Sequence, residues 1–202
     1  GKSTLANLLM RMFDVDQGEI LYDNRNIKDY NLESLREQIG FVPQQVFLFS
    51  DTIARNIAFG LDTVDTKRVE QAAKDSVVYD NIIGFDEGFE THIGERGITL
   101  SGGQKQRVSI ARALVKDPKV LMFDDGLSAV DTKTEEEILY NLGKIMDGKT
   151  SIIIAHRIST IKNADHIIVL DNGKIIEEGT HEMLLAMDCE YASLYEKQLL
   201  EA

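Results

Sequence analysis

An alternation of short apolar runs with amphipathic stretches constrains this chain more than any other feature. KVLMFD is followed by TKTEEEILYNLGKIM, TSIIIA, RISTIKN, HIIVLD and KIIEEG. Parallel strands need a crossover between them, usually a helix, so this alternation predicts an α/β fold with a mostly parallel core sheet flanked by helices. Asn172-Gly173 is a two-residue hairpin turn joining the last two strands. Upstream, EILYD and IGFV read as strands, with the small helix NLESLREQ capped by Asn31 between them. Residues 52 to 84 read as mostly helical, through TIARNIAF and then TKRVEQAAKDSVVYDNII. A Gly-rich stretch leads into LSGGQKQRVSIARALV, a helix with Val108, Ala111, Leu114 and Val115 facing inward. The expectation is one domain over residues 1–202 with a helical subdomain inserted at about 50–118. Two further local expectations follow. GKSTLANLLMRMF sets Leu5, Leu8, Leu9, Met12 and Phe13 on one face of a buried helix, and Thr132 with Glu135 forms a capping box.

The totals exclude several classes. With 22 Lys and Arg against 34 Asp and Glu, the net charge of −12 opposes the basic footprint of a nucleic-acid binder, so no nucleic-acid partner is expected. SIIIA and HIIVL fall far short of the roughly 18 apolar residues that span a bilayer. Membrane contact is therefore expected through another segment. Cys189, the single cysteine, has no partner for an internal disulfide, which fits a reducing compartment.

Three short stretches carry chemistry. GKST, opening a helix, is the tail of a phosphate-binding P-loop: backbone N–H groups attract phosphate, Lys2 reaches the terminal phosphates and the Ser3 hydroxyl binds magnesium. The first half of such a loop precedes Gly1, so the chain is expected to be incomplete at its N-terminus. VLMFDD runs an apolar strand into two carboxylates, Asp124 at a magnesium-ligand position and Asp125 where a catalytic base would sit. LSGGQ is a capping box with Ser101 as N-cap and Gln104 three residues on. Two glycines in its first turn each cost about 1 kcal/mol of helix stability against alanine. They make sense where a phosphate must approach the backbone closely.

Together GKST, LSGGQ and the acidic strand closely resemble the nucleotide-binding domain of ABC ATPases, and the resemblance covers essentially the whole chain. It implies a P-loop NTPase fold that binds ATP and Mg2+ through Gly1, Lys2, Ser3 and Thr4. FVPQQ matches the Q-loop, which implies that Gln44 touches magnesium and the attacking water and couples to a membrane domain. SIIIAHR matches the switch strand, placing His156 against the γ-phosphate. SAVD matches the D-loop ending at Asp131, and THIGERGITLSGGQKQR the exporter-type signature region. The family's adenine-stacking aromatic lies upstream of the P-loop. Its domains pair head to tail, so Ser101, Gly102, Gly103 and Gln104 are expected at nucleotide held by a second nucleotide-binding domain. The metal set implied is Ser3, Gln44 and Asp124; the catalytic set is Gln44, Asp125 and His156.

Asp125 departs from the family, which places glutamate there. One methylene fewer withdraws the carboxylate by about 1.5 Å, while a base needs a reach of roughly 2.6 to 3.2 Å. With its full LSGGQ, this chain resembles the degenerate-site half of heterodimeric bacterial multidrug exporters, though His156 is retained where several such halves lose it. The resemblance implies a weakly hydrolytic site, a glutamate-bearing partner half, a transmembrane domain upstream in the same chain and a place at the cytoplasmic face of the cell membrane. Two alternatives stay open: a nucleotide-binding regulatory subunit without turnover, and a soluble ABC ATPase of DNA repair or translation. The acidic charge and the GERG stretch disfavour the last.

Overall fold

The structure, a computed structural model, describes residues 1–94 and 98–201. Residues 95–97 of the GERG stretch lie outside it. In chain order the elements are α1 (Lys2–Leu9), β1 (Leu21–Tyr22), β2 (Arg25–Asn26), α2 (Leu32–Glu37), β3 (Ile39–Val42), α3 (Ile53–Ile57), α4 (Thr66–Asp75) and α5 (Tyr79–Ile83). They continue with α6 (Gly102–Leu114), β4 (Val120–Asp124), α7 (Thr132–Ile145), β5 (Thr150–Ile154), α8 (Ile158–Ile161), β6 (Ile167–Asp171), β7 (Lys174–Gly179), α9 (His181–Ala186) and α10 (Glu190–Glu201).

The centre is a parallel sheet ordered β3-β4-β5, in register from Ile39 opposite Val120 and from Val120 opposite Thr150. Every residue of β4 is buried, as a strand covered on both faces must be. Alternation divides its side chains. Leu121 and Phe123 join the cluster formed with Val108, Ile110, Ile138 and Leu142. Val120 and Met122 point the other way, toward Ala6, Ile27 and Leu35. A third cluster, Ile158, Ile167, Leu184 and Tyr191, lies under the β6–β7 hairpin and the last two helices. The helical stretch from α3 to α6 shares the first cluster with the sheet, so α6 packs directly on β3. Gly40 shows how close that packing is: a Cβ there would stand 2.6 Å from the carbonyl oxygen of Ala113. Among the described residues no helix is long and apolar enough to cross a membrane.

Several local expectations are corrected. The first helix is not a buried one. It ends at Leu9, Arg11 turns left-handed, and Leu5, Met12 and Phe13 are 42%, 57% and 67% exposed. Its buried stripe passes through Ala6 toward Leu9 and Met10, rotated away from Leu5 and Leu8. The helix after the acidic strand is capped by Asp131, which accepts from the Thr134 amide, rather than by Thr132. This frees Glu135 from the cap and turns it inward. EILYD contributes only Leu21 and Tyr22 to a strand, because Asp23 and Asn24 form a left-handed turn to β2. The helical run after Thr66 breaks at Val77, whose φ of +56° ends α4 before α5 begins.

Candidate functional site

The ends of β3, β4 and β5 and the start of α1 converge on one corner. Asp124, buried at the end of β4, accepts from the Ser3 hydroxyl at 3.2 Å. The start of α1 carries no side-chain cap; Gly1 is its N-cap. The amides of Lys2, Ser3 and Thr4 therefore precede the first intrahelical bond, from Leu5 to Gly1, and point out of the helix start. A hydroxyl, a carboxylate and free amides gathered at one point fit a phosphate with its divalent cation, the donor set that hard cations prefer.

Asp125 is held by its backbone. Its amide donates to Ile154 of the neighbouring strand at 2.8 Å. Its carbonyl accepts from Gln106 Nε2 at 3.2 Å, from Ser128 Oγ at 3.0 Å and from the Ser128 amide at 3.3 Å. The residue sits at φ +53°, a region that aspartate tolerates better than most side chains. Because β3 lies beside β4, the chain leaving β3 brings Gln44 alongside, with Nε2 3.5 Å from Asp125 Oδ2. Gln106 is 2% exposed and its other end accepts from the Ala129 amide at 2.8 Å, tying α6, Asp125 and the loop before α7 together.

His156 follows β5 and is exposed; with Asp125, Ser128, Glu135, Arg157 and Thr160 it lines a cavity of about 120 Å³. Glu135 is buried there and doubly bound, by Arg157 Nη1 at 2.8 Å and by the Thr160 hydroxyl. Burial of a carboxylate is tolerable only with such partners.

The signature lies on α6. Ser101 Oγ accepts from the Gln104 amide at 3.2 Å and Gln104 Oε1 accepts from the Ser101 amide at 2.9 Å, completing the expected capping box. Its two glycines differ. A Cβ at Gly103 would stand 3.1 Å from the Ala129 carbonyl oxygen, whereas at Gly102 the nearest atom is 3.8 Å away. Gly103 answers to packing inside the chain; Gly102 is open to something outside it. Among the described residues no hydrogen bond joins Ser101–Gln104 to Ser3, Asp124 or His156.

Beyond Gln44 an aromatic group stands on the surface. Phe49 stacks on Phe59 at 4.5 Å and meets Phe47 edge-on at 5.1 Å. Arg112 of α6 lies 5.5 Å from the Phe49 centroid and donates to the Phe47 carbonyl at 2.9 Å and the Asn56 carbonyl at 2.8 Å. Its burial holds the guanidinium below its usual pKa. Phe47 and Phe59 remain 67% and 54% exposed.

GKST, the acidic strand, FVPQQ and the switch strand thus meet at one corner while the signature stands apart, but the tethers were not anticipated. Gln106, Glu135, Arg157 and Gln198 find partners far along the chain, and no local pattern signals them.

A parallel sheet with phosphate-binding groups at its strand ends defines a P-loop nucleotide-binding ATPase. A family model described as "ABC transporter" matches residues 1–128, and the chain belongs to the ABC transporter family. It is 48% identical over 201 residues to the ATP-dependent lipid A-core flippase of Syntrophus aciditrophicus, covering 100% of this chain and 33% of the flippase. It is 46% identical over 201 residues to heavy metal tolerance factor 1 of Caenorhabditis elegans, covering 100% of this chain and 25% of that protein. A solved structure described as a bacterial Atm1-family ABC exporter with ATP bound superposes with a TM-score of 0.95 at 47% identity, over 98% of this chain and 35% of that one. The chain therefore spans a quarter to about a third of the length of these similar proteins.

Proposed function

We propose that this chain is the ATP-driven motor of a membrane exporter, one domain over residues 1–202 with the helical block at about 50–118 as its inserted subdomain. The observation that carries this reading is the pair of contacts at the strand ends, Ser3 with Asp124 and Gln44 with the adjoining Asp125. In it Lys2 and the amides of Gly1 to Thr4 bind the phosphates of ATP, Ser3 and Asp124 hold magnesium with Gln44 beside them, and His156 presents its ring to the γ-phosphate. Magnesium, when bound, offsets phosphate charge. Ser101, Gly102, Gly103 and Gln104 act on nucleotide held by a second domain, paired head to tail, and the openness of Gly102 supports that. The names of the similar proteins, a flippase and exporters, support a transmembrane domain as the other partner and a place at the cytoplasmic face of the membrane. Its contact with this domain is proposed at Phe47, Phe49 and Phe59, large exposed aromatics that pack on one another in the segment following Gln44.

Asp125 is proposed as a poor base. A shorter side chain can be compensated if the backbone advances by about the missing 1.5 Å. Here four hydrogen bonds fix that backbone, so the carboxylate stays back. Misplacement on this scale costs on the order of a hundredfold in rate. The site then binds and closes while a partner half bearing glutamate supplies most turnover. Steady-state ATPase of the intact exporter tests this: Asp125→Asn is expected to change total turnover by less than about twofold, since little base catalysis is there to lose. A loss as large as that caused by Glu→Gln in the partner half makes Asp125 a working base and ends the degenerate-site reading.

A further inference from the structure

The His156 ring has no hydrogen-bond partner among the described residues, so its backbone is what anchors the region the ring can reach. That backbone is held by one distant side chain. Gln198 of α10 donates from Nε2 to the His156 carbonyl at 2.7 Å and accepts at Oε1 from the Ile158 amide at 2.8 Å. A donor on the carbonyl of one residue and an acceptor on the amide two residues later is the pattern by which a parallel strand pairs with the residue between. That residue, Arg157, is extended, with φ −93° and ψ +126°. The side-chain amide thus stands in for a strand neighbour just where β5 has ended. The same three residues are anchored twice more. Arg157 donates to buried Glu135, and Ile158 is 4% exposed in the cluster with Tyr191 of α10.

We propose that Gln198 is a positioning residue for the switch histidine: α10 keeps the loop extended and so sets where the His156 ring meets the γ-phosphate. This rests on the reading of His156 above. A displacement of α10 then withdraws the ring from the γ-phosphate while leaving Lys2, Ser3 and Asp124 in place, which gives the C-terminal helix more control over hydrolysis than over affinity.

The test uses the intact exporter with the base of the opposite half substituted, so that turnover of Mg-ATP reports this site. Gln198→Leu, similar in size but unable to hydrogen-bond, is expected to lower kcat about tenfold with KM changed less than about twofold. In a His156→Ala background the same change is expected to do nothing more, because groups acting as a unit are not additive. Gln198→Glu supplies a second readout that keeps the test informative if the leucine variant folds badly. Its ionised carboxylate cannot donate to the His156 carbonyl, but its protonated form can. Its activity relative to the unsubstituted protein is expected to rise several-fold from about pH 8 to about pH 4.5, where glutamate titrates. The ratio removes whatever His156 and Glu135 contribute to both profiles. Multiplicative losses in the double variant, or a flat ratio with pH, overturn the positioning role. If His156→Ala leaves turnover intact, the assignment of His156 falls and this inference with it; if only the Gln198 variants are silent, the assignment stands.

Discussion

Two helix starts face opposite tasks in this domain. That of α1 is bare: glycine stands at its N-cap, no side chain closes it, and its early amides wait for a ligand. That of α6 is closed by a complete capping box, so Ser101 and Gln104 satisfy each other before any partner arrives. On the proposed reading phosphate supplies the hydrogen bonds that the bare start lacks, which favours binding within the chain. The closed start has its capping bonds made without ligand, and Ser101 still has its hydroxyl proton to donate outward while Oγ accepts from Gln104. A surface that must meet a second protein gains from being formed in advance.

The largest effect that can break this comparison is on the closed start. Gly102→Asp puts bulk and negative charge where phosphate is to approach, and is expected to lower hydrolysis at the partner's site by at least about a hundredfold. ATP binding at Lys2 should be unchanged, as equilibrium binding of labelled ATP to the intact exporter can show. Unchanged partner turnover would sink the assignment across the dimer. At the bare start, Lys2→Ala is expected to weaken ATP binding about ten- to a hundredfold, the scale of one charged contact, with the thermal transition unmoved. An affinity that survives Lys2→Ala would mean that phosphate is held elsewhere.

Smaller effects on stability sharpen the contrast. Gln106→Leu leaves the Asp125 carbonyl with fewer donors and the Ala129 amide unpaired, and is expected to cost about 2 kcal/mol in urea unfolding. Ser101→Ala removes a helix cap and is expected to cost about 1 kcal/mol. The smallest expected effect is at α7. The Thr134 amide and hydroxyl hold the exposed Asp131 carboxyl below its usual pKa. A carboxylate with a lowered folded pKa stabilises above its unfolded value and loses that contribution as pH falls through the folded one. Asp131→Ser is therefore expected to lower stability at pH values above the usual carboxylate range, with its unfolding curve converging on that of the unsubstituted protein as pH falls below that range.

The motifs were legible because each carries its chemistry in a few consecutive residues: GKST, the acidic strand, LSGGQ and the AHR step. The α/β class was legible from the alternation, and the inward face of α6 from its periodicity. The tethers of the site were not, since Gln106, Glu135 and Gln198 act on groups 19 to 42 residues away, and a glutamine or glutamate on a helix reads as a solvated face. The first helix misled for a different reason. Its leucines mark a stripe by hydrophobicity, but the sheet accepts the small Ala6, so packing shape chose the buried side. At Val77 a left-handed residue broke a run whose composition favours helix throughout.

The pairing of β3 with β4 has a consequence for how the chain assembles. Ile39 meets Val120 only after the whole helical block between them has been made. Loop closure of that length is a modest thermodynamic burden, growing as the logarithm of loop size, but contacts so distant in sequence slow the search. On a ribosome adding about 5 to 20 residues per second, β3 waits several seconds for its neighbour, an apolar edge in search of a strand. Helices α3 to α5, built from near contacts, can form meanwhile and shorten the gap. The corner that needs β3, β4 and β5 side by side thus cannot exist until about three quarters of the chain has been made.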